Sequence, residues 1–250
     1  MSGSGGTPDR DAPGAALSDL DARITSCRLC PRLVAWREEA ARSPRAPFAT
    51  GQYWARPLPG FGDPRGRLLV VGLAPAAHGG NRTGRMFTGD RSGDFLFAAL
   101  YRAGFANQAT STAIDDGLRL RDAYVTAPVR CAPPDNRPAP EERRRCAPYF
   151  AEELELLSRV QVVLALGAYA LDSLWRQPLV TGATDLPARP RRTPMPRFAH
   201  GAEIPLPERP GGPPRILVCS YHPSQRNVFT GLLTAEMLDT LLERIRALLA

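Results

Sequence analysis

Residues 67–75 read Arg67-Leu-Leu-Val-Val-Gly-Leu-Ala-Pro75. The run is apolar without polar alternation, and Gly66-Arg67 and Ala74-Pro75 bound it. An uninterrupted apolar run of this length predicts a strand covered on both faces, as inside a parallel sheet. Three further runs share its character. They are Ala123-Tyr-Val-Thr-Ala-Pro-Val129, whose Pro128 places a strand end, Gln161-Val-Val-Leu-Ala-Leu166 followed by Gly167, and Arg215-Ile-Leu-Val-Cys-Ser220. Between and after them lie helical patterns. Phe95, Leu96, Ala99 and Leu100 recur at helical spacing within 92–103, and Pro140-Glu-Glu marks a helix start leading through Tyr149 to Leu157. Residues 169–175 and 235–249 give two more amphipathic patterns. Strands alternating with helices predict an α/β fold: one domain with a central parallel sheet of about four strands flanked by helices.

Outward from this frame the chain becomes less regular. Residues 1–14 are rich in Gly, Ser, Pro and Asp and predict a disordered tail, leaving 15–250 as the folded domain. Leu17, Leu20 and Ile24 predict a short helix starting at Ser18-Asp19 and stopping near Cys27. Residues 177–214 hold ten prolines and little apolar periodicity, so a long loop is expected there.

Composition narrows the function classes. Hydrophobic residues make up 43% of the 250, too many for a chain disordered throughout. No stretch approaches the roughly 18–20 apolar residues that a membrane helix needs. Residues 1–6 carry neither a charged region nor an apolar core, which points to a cytoplasmic, soluble protein. The net charge is +7, and all 32 basic residues are Arg. GC-rich coding, which favours Arg, Ala, Gly and Pro together, accounts for the absence of Lys. The charge itself still points to an anionic partner, nucleic acid before membrane.

In parallel α/β sheets ligands bind beyond the carboxyl ends of the strands. That rule nominates the loops after Leu73, after Val129 and after Ser220. The first is 72–90, Gly-rich and ending in Phe87 and Asp90; it contains no Walker or dinucleotide fingerprint and would otherwise be an ordinary surface loop. The third is Tyr221-His-Pro-Ser-Gln-Arg-Asn227, with His222 at a strand end and Pro223 fixing the turn. His78 and His200 lack such placement and are expected to be structural. The five cysteines add a separate signal. Cys27 and Cys30 have C-x-x-C spacing, Cys131 follows the second strand, and Cys146 lies 15 positions on. A redox pair, a zinc site and a [4Fe–4S] cluster all use such pairs; the wide second gap leans toward iron–sulfur. Cys219 sits within an apolar strand and is expected to be a core residue.

Taken in order, Cys27-Arg-Leu-Cys-Pro-Arg-Leu33, Gly60-Phe-Gly-Asp-Pro64, the strand with Gly72-Leu-Ala-Pro-Ala76, Asn81-Arg-Thr-Gly-Arg85, Gly84-Arg-Met-Phe-Thr-Gly-Asp90, Arg130-Cys-Ala-Pro-Pro134 and Tyr221–Asn227 resemble the uracil-DNA glycosylase superfamily. The likeness is to its iron–sulfur branch, family 5 or type b, and runs from about Cys27 to Leu249. It implies a monofunctional hydrolase that cleaves the N-glycosidic bond of uracil and other deaminated or modified bases flipped from DNA, in base excision repair. It also implies a structural [4Fe–4S] cluster on Cys27, Cys30, Cys131 and Cys146, and a monomer that engages DNA and no membrane. The matching catalytic residues are Asp90 for water, His222 for the departing base, and Asn136 for holding the site. Gly72, Ala74 and Phe87 match the base pocket, and Gln225 and Arg226 are placed to enter the duplex or touch phosphate. Where other branches have a polar residue in the first motif, this chain has Leu73 and Ala74. Ala127 replaces a base-reading Asn of family 4, which implies looser base selection. Met86 and Ala76 replace a Pro and a Gly common among relatives. With no Lys, Schiff-base lyase chemistry lacks a side-chain amine. The competing expectation is a non-catalytic nucleic-acid-binding module with a four-cysteine metal or cluster site.

Overall fold

A computed structural model of the protein describes residues 12–44, 52–181, 194–209 and 212–250. Its six strands are β1 (Phe61–Gly62), β2 (Leu68–Val71), β3 (Ala123–Thr126), β4 (Val162–Leu166), β5 (Glu203–Leu206) and β6 (Arg215–Ser220). They form one sheet in the order β1-β3-β2-β4-β6-β5. The four inner strands run parallel, with Leu68 beside both Ala123 and Val162, and Val162 beside Ile216. These are the four apolar runs read from the sequence. The two edge strands pair antiparallel and were not anticipated.

The strands read as continuous apolar runs because both faces are buried. Leu68, Val70, Val125, Leu164 and Val218 face one core, closed by α4 (Arg91–Arg102) and α9 (Ala235–Leu248). Leu69, Val71, Tyr124, Val163, Leu217 and Cys219 face the other, against α1 (Ala12–Ser26), α5 (Pro140–Leu156) and α6 (Ala168–Trp175). The result is a three-layer αβα domain. Cys219 is fully buried, as its strand position required. The other helices of the described residues are α2 (Pro31–Arg42), α3 (Gly80–Thr83), α7 (Pro178–Thr181) and α8 (Gln225–Phe229).

Two expectations need correction. Helix α1 begins at Ala12, not Ser18, so residues 12–14 belong to the helix and not to the expected tail. Apolar burial of Leu17, Leu20 and Ile24 against α5 carries the helix through the Pro13-Gly14 pair. The rest of the tail lies outside the described residues. The proline-rich stretch 177–214 is also more than a loop, since α7 and β5 lie within it. Pro205 is tolerated in β5 because an edge strand can spare a donor. Residues 182–193 and 210–211 of that stretch fall outside the described residues.

Buried ion pairs fix the loops. Arg85 pairs with Asp116 at 2.7 Å and donates to Thr88 Oγ1 and Ser111 Oγ, so 85–88 is tied to 111–116. Arg130 pairs with Glu153 at 2.6 Å and donates to Thr126 Oγ1, joining the end of β3 to α5. Each guanidinium is almost inaccessible, and the hydrogen bonds offset its desolvation.

Candidate active site and a four-cysteine site

The three nominated loops meet. A cleft of about 540 Å³ opens at the carboxyl end of the sheet. Its lining comes from Leu73–Ala76 after β2, from Met86, Phe87 and 90–92, from Ala127 and Asn136 after β3, and from His222 and 224–226 after β6. Ala74, Phe87, Asp90, Asn136, His222, Gln225 and Arg226 all border it. Gly72 does not. Its absent side chain instead makes room for Phe87, since a Cβ there would lie 2.6 Å from the ring.

Phe87 sits at φ +51, a conformation that costs about 1–3 kcal/mol for a non-glycine residue and persists only when its surroundings impose it. The Arg85–Asp116–Ser111–Thr88 network supplies that constraint on either side of the residue. The ring faces His222, with centroids 5.9 Å apart and planes 31° apart. Together they form a wall against which a flat heterocycle can stack.

His222 follows β6, and Asn227 donates to its carbonyl oxygen at 2.9 Å, which pins the turn. Burial pushes its imidazole down to about 4. At neutral pH the ring is uncharged and offers one N–H donor. Asp90 is the N-cap of α4, its Oδ1 accepting from Gly93 N at 3.0 Å. Burial raises its carboxyl above the ordinary range, more than the backbone donors Gly93 and Ser92 lower it. The second oxygen, Oδ2, faces Gly79, where an added Cβ would lie only 2.0 Å away. Asp135 and Asn136 are consecutive left-handed residues, φ +53 and +54, in a 3₁₀ turn that brings exposed Asn136 to the cleft. Asn and Asp adopt this conformation more readily than other side chains.

His78 and His200, expected to be structural, are not among the residues lining the cleft. His78 Nδ1 bonds the Tyr53 hydroxyl at 2.9 Å, and His200 stacks on Tyr221 at 5.2 Å. Sequence reasoning did not single out Phe229, which is 87% exposed at the end of α8. It lies one turn beyond Gln225, which lines the cleft, on the same short helix. No spacing rule flags an aromatic residue that is meant to be exposed.

Four of the five cysteines share one cavity. Cys27, Cys30, Cys131 and Cys146 line a single cavity with Arg37, Arg130 and Tyr149, and Cys219 is remote from it. Cys27 and Cys30 flank the α1–α2 junction; Cys131 follows β3, and Cys146 lies in α5. None is in a disulfide. Among the described residues no three His, Cys, Asp or Glu side chains converge on one ion, so the thiols surround the cavity and are not drawn to a point. Arg37 Nη1 donates to Cys131 Sγ at 3.0 Å, and Arg130 N to Cys146 Sγ at 3.4 Å. Burial pushes Cys131 to about 11 and Cys146 to about 12, so free thiols there would be neutral at pH 7. A nearly inaccessible guanidinium aimed at neutral sulfur would be an uncompensated charge. The donor set therefore fits an electron-withdrawing group bound by thiolates.

Comparison with known proteins follows the same lines. The family model of the uracil DNA glycosylase superfamily matches residues 59–246. A type-5 uracil-DNA glycosylase of Thermus thermophilus is 52% identical over 224 residues, covering 89% of this chain and 94% of the relative. One from Mycobacterium bovis is 50% identical over 235 residues, covering 93% and 82%. Similarity to a type-4 uracil-DNA glycosylase of Archaeoglobus fulgidus is weaker, 32% over 114 residues, covering 45% and 49%.

Proposed function

Because this chain belongs to the uracil DNA glycosylase superfamily, we propose that it hydrolyses the N-glycosidic bond of uracil, and of other deaminated or modified bases, in DNA. The observation that carries this reading is the single cleft in which Phe87, Asp90, Asn136 and His222 meet from three loops.

The chemistry divides between the two ends of the breaking bond. The base must leave the helical stack to be reached, and the Phe87–His222 wall offers it a stacking surface in exchange. As the bond breaks, its electron pair stays with the base. An uncharged His222 can donate its N–H to the anion that forms, a preorganised donor in a water-poor site. The sugar carbon becomes cationic and accepts water. Asp90, whose Oδ1 is fixed by Gly93 and whose Oδ2 packs against Gly79, borders the cleft, where its carboxylate can orient that water and take its proton. Asn136 borders the same space and helps to hold the sugar. Ala127 brings no polar side-chain atom to the cleft, which supports a broad base range.

Gln225 and Arg226 are exposed on the rim and suit phosphate or the duplex. The exposed ring of Phe229, one turn beyond Gln225, suits a further contact with the duplex, filling the gap left by an extruded base. The four thiols would hold a [4Fe–4S] cluster, whose role is to cross-link α1, α2, the β3 exit and α5. No cysteine borders the cleft, so no step of the reaction involves it.

The decisive assay incubates the protein with a duplex carrying one uracil, followed by hot alkali. Strand cleavage at the uracil position is expected; binding without cleavage would favour the non-catalytic module. Borohydride should trap no covalent complex, since the chain has no Lys. Iron analysis with visible absorption tests the cluster, and a colourless zinc protein would overturn it. Elution as a single chain on size exclusion tests the monomer.

A further inference from the structure

Arg37 is 2% exposed, and no carboxylate among the described residues pairs with it. This sets it apart from Arg85 and Arg130, which are buried with Asp116 and Glu153. Two donors of its guanidinium reach the cysteine site: Nη1 donates to Cys131 Sγ at 3.0 Å and Nη2 to the Cys27 carbonyl at 3.3 Å. Nε is buried without a partner. A cation in this position needs negative charge nearby; the Glu38 carboxylate, itself paired with Arg28, acts on it without touching it, and sulfur is the acceptor its Nη1 reaches.

The same residue also faces the other way. Its backbone carbonyl accepts from Asn81 Nδ2 at 3.1 Å. Asn81 is fully buried in α3, and Nδ2 is also 3.4 Å from the Ala77 carbonyl while its backbone N–H donates to Ala76 at 3.0 Å. Ala76 lines the base cleft. Its carbonyl also accepts from Gly79, the residue against which Asp90 packs. On the other side, Ala74 lines the cleft while packing against Cys131 and Leu33. One residue therefore touches a thiol of the metal-binding set and, two hydrogen bonds away, the wall of the cleft.

We propose that Arg37 is a positioning residue that couples the four-cysteine site to the base cleft. Its side chain balances the charge of the Cys131 thiolate, and its carbonyl, through Asn81, fixes the wall formed by Ala76 and Ala77. The inference rests on the reading that the thiols hold a metal group. It does not depend on which metal.

The experiment measures two quantities on the purified holoprotein: metal release to a colorimetric chelator, and KM and kcat on a uracil-containing duplex. Arg37→Met removes charge and donors at similar volume and should release metal about ten-fold faster or more, as for other residues that support a metal ligand. Its KM should also rise several-fold. Asn81→Leu cuts the link on the cleft side only; release should stay at the wild-type rate while KM rises. In the double variant the KM effects should not multiply, because the two changes interrupt one path at successive steps: Arg37→Met at the thiol, with the backbone carbonyl kept, and Asn81→Leu at that carbonyl. Should Arg37→Met not fold, Arg37→Lys keeps the charge and should show intermediate release. Wild-type release from either Arg37 variant, or multiplying KM effects, would overturn the proposal. A wild-type protein holding zinc would sink the iron–sulfur reading alone, with the coupling still measured by zinc release. A protein holding no metal would sink both.

Discussion

Gly79→Ala tests how finely Asp90 must be placed. An added Cβ would lie 2.0 Å from Asp90 Oδ2, 2.8 Å from its Cγ and 3.0 Å from its Cβ. Ordinary contact begins at 3.4 Å, so the carboxylate oxygen must move about 1.4 Å. It cannot simply rotate, because Oδ1 is held by Gly93 N as the cap of α4. Misplacing a reacting group by about 1 Å costs roughly 10²-fold in rate. The expected outcome is therefore a fall in kcat of about two orders of magnitude. Stability should fall by about 1 kcal/mol, the worth of the disturbed cap. Single-turnover excision of uracil from a labelled duplex measures the first and thermal unfolding the second. An Asp90→Asn variant, which keeps the cap acceptor, sets the scale for losing the carboxylate altogether. Gly79→Ala turning over at the wild-type rate, with Asp90→Asn severely impaired, would refute the argument that position, beyond charge, is what the loop provides.

Other outcomes follow from the same geometry. Because the Asp90 carboxyl is raised, its base form is lost at a higher pH than for a surface carboxylate; kcat should fall on acidification already above the ordinary Asp range, and Asp90→Asn should flatten that limb. His222, lowered to about 4, stays neutral from about pH 5 upward, so the rate should show no inflection near 6.5. Phe229→Ser should leave unfolding within about 0.5 kcal/mol of wild type, its ring being 87% exposed. It should raise KM on duplex by about ten-fold, measured by steady-state kinetics, in line with roughly 1–3 kcal/mol per stacked base. Glu153→Leu strands the Arg130 guanidinium and should cost about 3–5 kcal/mol, lowering the thermal midpoint by roughly 10 °C.

What could be read in the sequence tracks what the fold buries. The four inner strands were legible because each is apolar on both faces, and α4 and α9 because each has a clear buried stripe. Helix α2 was not, and Arg37 shows why. Its buried positions are Leu33, Arg37 and Ala40, so a guanidinium occupies the place where an apolar residue would have completed the period. The partner that makes Arg37 tolerable, Cys131, lies 94 residues away. Strand β5 was hidden for a different reason: Pro205 and an exposed Glu203 suit an edge and nowhere else. The loops carrying Asp90, Asn136 and His222 were found by the rule that ligands sit at strand ends, and the cleft gathers all three. The role of Gly72 as an allowance for the Phe87 ring, and the exposure of Phe229, depend on contacts or their lack across the fold, which no local pattern encodes.

The two edges of the sheet have a consequence for how concentrated this protein can become. β1 offers a neighbour only two residues, and β5 places Pro205, which has no N–H, in the middle of its four. Beside it Glu203 is tied to Arg244 at 2.7 Å, setting a charged pair along the border. A second chain approaching either margin finds no continuous ladder of donors and acceptors to extend. Where many copies meet along a nucleic acid, the two described edges then offer a neighbouring chain little to extend.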